Sequence, residues 1–371
     1  MKILFLGDYS GLHATLADAL RRMGHDCTVL SNGSRCMDTR RDIDLNRRPG
    51  LINSFKYLAR CFEVVPRLKG YDVVQIVNPG FLSLKPGKLR HFFDIVRRNN
   101  GCIGLTLCGS DSFVVKDSLE GNLFRYSEFK VDGAPSPHVA DSPKTIAEWC
   151  AAGLTDYCAH VYENVDFALS SLYEYHLLAQ PHLQGKVLEY AGIPVDTRSI
   201  AMKELEFDSD GRIRIIAAIK SEMTTFKGTL RLLEAAREVE RRHPDKVVVE
   251  EARDMKLTDY LRKIEESHIV LDQLYSYTPA TNALQTMAMG RIAVSGGEPE
   301  FYDFIGEEKL RPVVNVVPDD RLIVSTLENL VTSPREYLRE LSRQGRKFVE
   351  KHNSAEVVAK RYLNVWEKMI K

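Results

Sequence analysis

The feature that most constrains the fold is an alternation of two periods that begins at the first residue. MKILFLGDYSGLHATLADALRRMGHDCTVLSNG opens with the apolar run Ile3 to Leu6 and turns at Gly7 and Gly11. It continues with Leu12, Leu16, Leu20 and Met23 at helical spacing, then a second apolar run, Cys27 to Leu30. A short uninterrupted apolar run is the mark of a strand buried on both faces, and a period near 3.6 residues marks a helix with one buried stripe. Strand, helix and strand in that order predict a βαβ unit with parallel strands, with Gly24 placed to end the helix. The pattern persists: Tyr71 to Val77 predicts a strand, Phe92 to Arg98 a helix, Ile103 to Leu107 and Phe167 to Ser171 two more strands, and YEYHLL a helix. The expected fold class is α/β with parallel sheets.

A chain of 371 residues exceeds what one hydrophobic core usually supports, and the alternation starts again part-way along it. Ala191 to Pro194 carries Gly and Pro, and the polar stretch KELEFDSDGR follows. Beyond it the pattern predicts strands Ile213 to Ile219, Lys246 to Glu250, Ile269 to Leu271 and Ile292 to Val294, separated by helices Thr229 to Arg241, Leu257 to Ser267 and Asn282 to Met289. A boundary there gives two tandem Rossmann-like domains, 1–196 and 197–352. The last twenty residues, HNSAEVVAKRYLNVWEKMIK, open with an Asn-Ser cap and set Val357, Val358, Tyr362, Val365 and Met369 on one face. They predict a terminal helix, 353–371. Sheets of this kind take ligands beyond the carboxyl ends of their strands, so a central cleft faced by both domains is the expected site.

Composition excludes several classes of function. Lys plus Arg and Asp plus Glu number 51 each, so the formal net charge is zero and no nucleic acid is expected as a partner. The seven cysteines, Cys27, Cys36, Cys61, Cys102, Cys108, Cys150 and Cys158, are odd in number and include no C-x-x-C pair. Neither a disulfide framework nor a zinc site is expected, and reduced structural thiols of a cytoplasmic protein are. The first apolar run is too short for a signal-peptide core, and no run approaches a membrane span. Residues 34–70 hold nine Lys or Arg against four acidic residues, interleaved with Leu51, Ile52, Phe55, Tyr57, Leu58, Phe62 and Val64. Such a segment suits peripheral contact with anionic lipid at the inner face of the membrane, and it equally suits a solvated helix with its apolar face in the core. Both readings stay open.

The most specific stretch is AAIKSEMTTFKGTLRLLEAAREV followed by SHIVLDQLYSYTPATNALQTMAMGRIAVSGGEPEFYDFIG. A strand ending in a small-residue turn, a basic residue at Lys220 and the pair Lys227-Gly228 opening the next helix together resemble the donor domain of retaining GT-B glycosyltransferases. The resemblance is to glycosyltransferase family four in particular, close over the second half of the chain and looser over the first. It implies the GT-B architecture, with the terminal helix packed back on the N-terminal domain, and a nucleoside-diphosphate sugar as substrate. It further implies that Lys220 and Lys227 stabilise the diphosphate, which gains negative charge as the bond to the anomeric carbon breaks. Laying QTMAMG on the end of the family's Glu-x7-Glu block puts Gln285 at the second Glu and Tyr277 at the first, with Pro279 and Ala280 in place of an aromatic-Gly step. Both acidic positions are changed. The turn into the following helix keeps backbone amides and a helix dipole for a diphosphate at Thr281 and Asn282. Gln285 offers donor and acceptor to ribose hydroxyls, or else is a polar helix residue. Tyr277 supplies a hydroxyl where the family has a carboxylate; Glu298 and Glu300, in a Gly-rich turn, are candidates for the missing charge or simply acidic surface residues. Asp272 is expected to cap a strand end. The resemblance implies neither a metal nor another cofactor, and retention of anomeric configuration.

In the first half, DYSGLHATL places Gly11 and His13 where the resemblance implies a loop near the acceptor and the donor phosphates, although it lacks the G-x-G-x-x-G spacing of a dinucleotide site. His13 is expected to be structural or to lie on the acceptor side. Asp111, in CGSDSF after the strand Ile103 to Leu107, is expected to orient the acceptor or act as a base, or to cap a turn. The function expected is hexosyl transfer to a glycan or lipid-linked acceptor in cell-surface polysaccharide biosynthesis. Two rivals remain: an epimerase of nucleotide sugars on the same architecture, and a noncatalytic nucleotide-sugar-binding subunit, which the loss of both Glu positions favours.

Overall fold

A computed structural model describes residues 1–33 and 38–370, so Cys36 and the first residues of the basic segment lie outside it. The chain forms two compact units. The first comprises Met1–Asp117, Lys144–Pro194 and Ala355–Lys371, and the second Ser118–Pro143 and Val195–Ser354.

The first series runs β1 (Lys2–Leu6), α1 (Leu12–Arg22), β2 (Asp26–Ser31), β3 (Ile43–Asp44), α2 (Leu51–Val64), β4 (Val73–Ile76), α3 (Pro86–Asn99), β5 (Cys102–Leu107) and α4 (Ser112–Glu120). A short hairpin, β6 (Lys130–Val131) and β7 (Ala134–Pro135), and a single helical turn, α5 (Pro137–Asp141), follow. The series resumes with α6 (Pro143–Trp149), α7 (Ala152–Asn164), β8 (Phe167–Ser170), α8 (Tyr173–Ala179) and β9 (Val187–Tyr190). Seven parallel strands lie in the order β3-β2-β1-β4-β5-β8-β9. Successive residues of β1 point to opposite faces. Leu4 and Leu6 enter a core with Val74, Phe92, Phe93 and Tyr162, while Ile3 and Phe5 enter a second core with Leu16, Leu20, Val73 and Phe167.

That second core is completed from the far end of the chain. Helix α16 (Ala355–Met369) lays Val358, Ala359, Tyr362, Val365 and Trp366 into it. Trp366 Nε1 donates to Gln75 Oε1 at 3.2 Å, and the Tyr362 hydroxyl lies 3.3 Å from Thr106 Oγ1, so the helix is fixed by polar contacts as well as by burial. Of the residues expected on its inner face, Val357 and Met369 are only partly buried.

The second series runs β10 (Ile213–Ile219), α9 (Thr224–Lys227), α10 (Thr229–Arg242), β11 (Val247–Arg253), α11 (Leu257–Glu265), β12 (Ile269–Leu271) and α12 (Thr281–Ala288). It ends with β13 (Ile292–Ser295), α13 (Pro299–Phe304), β14 (Val314–Asn315), α14 (Asp320–Thr332) and α15 (Arg335–His352). Its five strands are parallel, in the order β11-β10-β12-β13-β14, with Ala217 of β10 opposite Glu251 on one side and Leu271 on the other. From β10 the chain moves to β11 on one flank and then to β12 on the other, so the strand order reverses between β10 and β12.

Residues 118–143 do not stay with the series in which they occur. They belong to the second unit, where Tyr126 and Phe129 are 4% and 2% exposed. The physical reason is the aromatic content of LFRYSEF, which finds its apolar and charged partners on the second sheet's loops. Among the described residues no helix is long and apolar enough to cross a membrane. The six described cysteines are free, and burial pushes up the thiols of Cys27, Cys61, Cys102, Cys108 and Cys158, Cys27 and Cys158 to about 12.

Candidate functional site

Ligands of open parallel sheets bind beyond the carboxyl ends of the strands where the strand order reverses. In the second unit that point is flanked by the loops after β10 and β12. Lys220 directly follows β10 and is half-buried; among the described residues its ammonium takes no hydrogen bond or ion pair. Helix α9 then ends on Lys227, and Gly228 turns the chain with φ 67°. A Cβ at Gly228 would sit 2.8 Å from Leu274 Cβ and 2.9 Å from Tyr275 Cε2, so both the backbone angle and the space require glycine. The close approach is held by the Leu274 amide, which donates to the Lys227 carbonyl at 2.8 Å. The two loops are thereby clamped together.

Lys227 Nζ lies 3.4 Å from Oδ1 of Asp272, whose side chain is fully buried. The same oxygen accepts from Asn282 Nδ2 at 3.0 Å, and Oδ2 accepts from Ser295 Oγ at 3.1 Å. Asn282 in turn accepts from the Tyr260 hydroxyl at 2.7 Å. Asp272 is thus the hub that sets the position of Lys227, of the first turn of α12 and of the end of β13. The side chain of Asn282, expected to meet a phosphate, is committed to that hub, leaving its backbone amide for a ligand.

Helix α12 starts without a side-chain cap, since Ala280 stands at the cap position. Helix α14 makes the contrast, with Asp319 accepting from the amides of Arg321 and Leu322. The first amides of α12, at Thr281, Asn282 and Ala283, therefore carry an uncompensated partial positive charge. Gln285, one turn further on, is partly buried.

Tyr277 and Glu298 have a different task from the catalytic one expected. Tyr277 is 3% exposed; its hydroxyl accepts from the Arg125 amide at 2.9 Å, and its ring packs against Phe124 and Tyr126 at 5.0 and 4.9 Å. Glu298, also 3% exposed, accepts from the Tyr126 hydroxyl at 2.6 Å and from Asn315 Nδ2 at 2.9 Å, and its other oxygen pairs with Arg125 at 2.5 Å. Burial, then the bond to Glu298, pushes the Tyr126 phenol well above its usual range; burial likewise raises Tyr277. Together they form the socket for the 118–143 segment. Further along that segment, the rings of Phe129 and His138 lie 6.2 and 5.1 Å from Phe226, the neighbour of Lys227. The segment therefore runs along the carboxyl edge of the sheet and touches the loops after β10, β12 and β13. Arg125 remains 60% exposed along its side chain and also reaches Glu300 at 3.1 Å. The second carboxylate oxygen of Glu300 is buried without a hydrogen-bond partner.

In the first unit, Gly11 has φ 78° and caps α1. His13 is fully buried: Nδ1 lies 2.7 Å from the Gly7 carbonyl and Nε2 3.2 Å from Thr106 Oγ1. Burial lowers its pKa to about 4, so the ring is neutral, Nδ1 donates and Nε2 accepts from the threonine hydroxyl. It offers no nitrogen to an acceptor. Asp111 is 2% exposed; Oδ1 accepts from the amides of Phe113 and Val114 at 2.9 and 3.0 Å, and Oδ2 from the Tyr162 hydroxyl at 2.8 Å. Burial pushes its carboxyl up against those bonds. Its geometry is that of the cap of α4, the alternative expected for it, with both oxygens engaged. Asp8, a buried carboxylate at the end of β1 that accepts from the His13 amide at 2.9 Å, went unnoticed in the sequence because nothing in GDYSG marks it apart from a turn residue.

Two surface depressions elsewhere in the second unit involve Arg214, Glu250 and Lys263, and Lys203, Glu265 and His268. Their charges are paired with each other, Lys263 with Glu250 at 2.8 Å and Lys203 with Glu265 at 2.7 Å, and they lie away from the carboxyl edge.

No protein-family model and no curated protein matches the chain by sequence. Solved structures match by fold. Sucrose-phosphate synthase from Thermosynechococcus elongatus is 11% identical over 99% of both chains, with a TM-score of 0.60. An α,α-trehalose-phosphate synthase (UDP-forming) from Burkholderia vietnamiensis is 12% identical over 99% of this chain and 100% of its own, at 0.58. HepE of Anabaena, in complex with UDP and glucose, is 11% identical over 99% and 100%, at 0.56. The chain has their fold, the GT-B fold that the resemblance implied.

Proposed function

We propose that the chain is a glycosyltransferase that holds a nucleoside-diphosphate sugar at the carboxyl edge of the second sheet and transfers the sugar to a glycan or lipid-linked acceptor in polysaccharide biosynthesis. The observation that carries this is the clamped switch point: Lys227, set by the buried Asp272, stands beside the uncapped start of α12. A diphosphate is the ligand such a site fits, because it takes both ammonium charge and a row of amide donors. Two similar folds involve UDP, one crystallised with UDP and glucose and one described as UDP-forming, which makes UDP the first probe.

Lys220, Lys227 and the amides of Thr281 and Asn282 take the diphosphate, Gly228 permits the closure that brings them together, and Gln285 takes the ribose. As the anomeric bond breaks, negative charge builds on the leaving diphosphate, and preplaced cations stabilise it without moving. The proposal needs no metal for this, since side chains and the helix supply the positive charge. Glu300, with one oxygen on Arg125 and one uncommitted, replaces Glu298 as the acidic group for the sugar side. Gly11 remains the acceptor-side candidate, with His13 and Asp111 as supports beneath it. Retention of configuration rests on the family resemblance. The location proposed is cytoplasmic, with peripheral membrane contact through 34–70.

Lys227→Ala is expected to weaken UDP binding by roughly a hundredfold, the loss of a charge-assisted contact in a partly desolvated site. Calorimetric titration measures it, and unchanged affinity removes the site. A nucleotide-release assay across candidate acceptors separates a transferase from a noncatalytic binding subunit. Tight UDP-sugar binding with no release for any acceptor establishes the subunit instead.

A further inference from the structure

Helix α2 is turned inside out. Its core side is ordinary: Tyr57, Cys61 and Val64 are 2%, 0% and 7% exposed. The opposite side should be polar in a water-soluble helix, yet it carries Leu51, Ile52 and Phe55 at 82%, 73% and 73% exposure, with Ala59 exposed and Phe62 at 43%. With successive residues turned by about 100°, these five fall within roughly a 100° arc that lies across the helix from the buried side chains. Four of the eleven exposed large apolar side chains among the described residues thus share one helix face, whereas single exposed apolar residues are normal and scattered. Phe62, at one end of the face, packs on the buried Phe92 of α3 at 4.9 Å, whereas Leu51, Ile52 and Phe55 are left to the solvent.

The charges around it are of one sign. Arg48 precedes the helix, Arg47 turning instead over the ring of the buried Tyr57; Lys56 and Arg60 border one side of the stripe, and Lys88 of α3 lies 5.6 Å from the Phe62 ring centroid. Glu63 is the one acidic residue of the helix and is already paired with Arg60 at 3.0 Å and Arg67 at 3.3 Å. An apolar stripe bordered by cations matches an anionic bilayer, whose acyl region takes the stripe while the headgroups meet the basic rim. A second copy of the chain seated on the same face would bring basic rims together. We propose that α2 is a membrane-docking helix that lies in the interface of an anionic lipid bilayer, with Leu51, Ile52 and Phe55 inserted and Arg48, Lys56 and Arg60 at the headgroups.

The test is cosedimentation of the full chain with phosphatidylcholine vesicles containing roughly one-third phosphatidylglycerol, against phosphatidylcholine alone. Binding is expected only to the anionic vesicles and to fall with added salt. The triple change Leu51→Gln, Ile52→Gln, Phe55→Gln and the double change Lys56→Glu, Arg60→Glu are each expected to weaken it by about tenfold or more, whereas Leu322→Gln, also exposed but remote in the chain, leaves it intact. All these side chains are exposed, so unfolding temperatures should hold and a loss of binding reports the face itself. The proposal fails if the wild type ignores anionic vesicles or the triple variant binds as well as wild type. It fails too if the wild type is a dimer that the triple change dissolves and neither form binds vesicles. Lipid binding is read without nucleotide, so failure here leaves the donor site untouched.

Discussion

At the scale of single residues, what the sequence displayed was chemistry whose partners are close in the chain. Lys220, Lys227-Gly228 and the turn into Thr281 lie within loops whose strand ends are plain from apolar runs, and these loops follow the neighbouring strands β10 and β12 of one sheet. Tyr277 and Glu298 were not legible, because Arg125 and Tyr126, which occupy them, are 152 to 173 residues away. His13 shows the same limit. Its Thr106 partner is 93 residues distant, and only burial distinguishes a neutral core imidazole from an exposed ligand. The consequence can be measured. The folded state holds His13 at about 4 against 6.5 when unfolded, so between these values the unfolded chain takes up the proton first and stability falls as the pH falls. Above 6.5 both states are neutral and the term vanishes. The loss across the window is roughly 3 kcal/mol. His13→Gln is expected to flatten that part of the stability profile relative to wild type, followed by denaturant unfolding at several pH values. A constant difference between the two proteins from pH 7 to pH 4 would show that the ring does not titrate in this way.

At the scale of elements, central strands and the long edge strand β11 were evident and the short edge strands were not. β1, β4, β8 and β13 are nearly or wholly buried along their length, and burial on both faces leaves an apolar run in the sequence. β3, β9 and β14 sit at sheet edges, are two to four residues long, and carry residues such as the VLEY of β9, which is at most half-buried. The 118–143 segment was missed for a different reason. Its hairpin turns on Asp132-Gly133, both with positive φ, and Asp-Gly between short strands is a strong two-residue turn signal. The strands are too short to show alternation, and what anchors them lies elsewhere in the chain. Glu298 is the anchor, holding Arg125, Tyr126 and Asn315 in a buried cluster. Glu298→Gln removes the charge that holds Arg125 and leaves the Tyr126 hydroxyl a weaker acceptor. The segment should then open more often, and tryptic cleavage at Arg125 and Lys130 of the native protein should rise by roughly tenfold. If mass spectrometry of the digest finds equal rates in both proteins, the anchor is not Glu298.

At the scale of the whole molecule, the chain's two ends meet in one core. β1 and α16 lie far apart in the chain, yet Ile3, Phe5, Tyr362 and Trp366 occupy the same cluster, so this core is complete only when α16 is present. The amphipathic spacing of the last twenty residues made the helix legible; which core it joins followed from fold resemblance, since periodicity alone names no partner. Both tryptophans, Trp149 and Trp366, belong to the first unit, so indole fluorescence reports on that unit alone. Trp366 is fully buried against Phe5 and Tyr362 and donates to Gln75, and its removal leaves a cavity and an amide oxygen short of a donor. Trp366→Ala is therefore expected to cost the first unit about 3–5 kcal/mol, seen as an earlier denaturant midpoint in Trp149 fluorescence. UDP affinity, a property of residues in the second unit, should be unchanged under conditions where the variant is folded. A midpoint that does not move would mean that α16 is dispensable to the first core, and lost UDP affinity in the folded variant would mean that the donor site depends on the first unit's core.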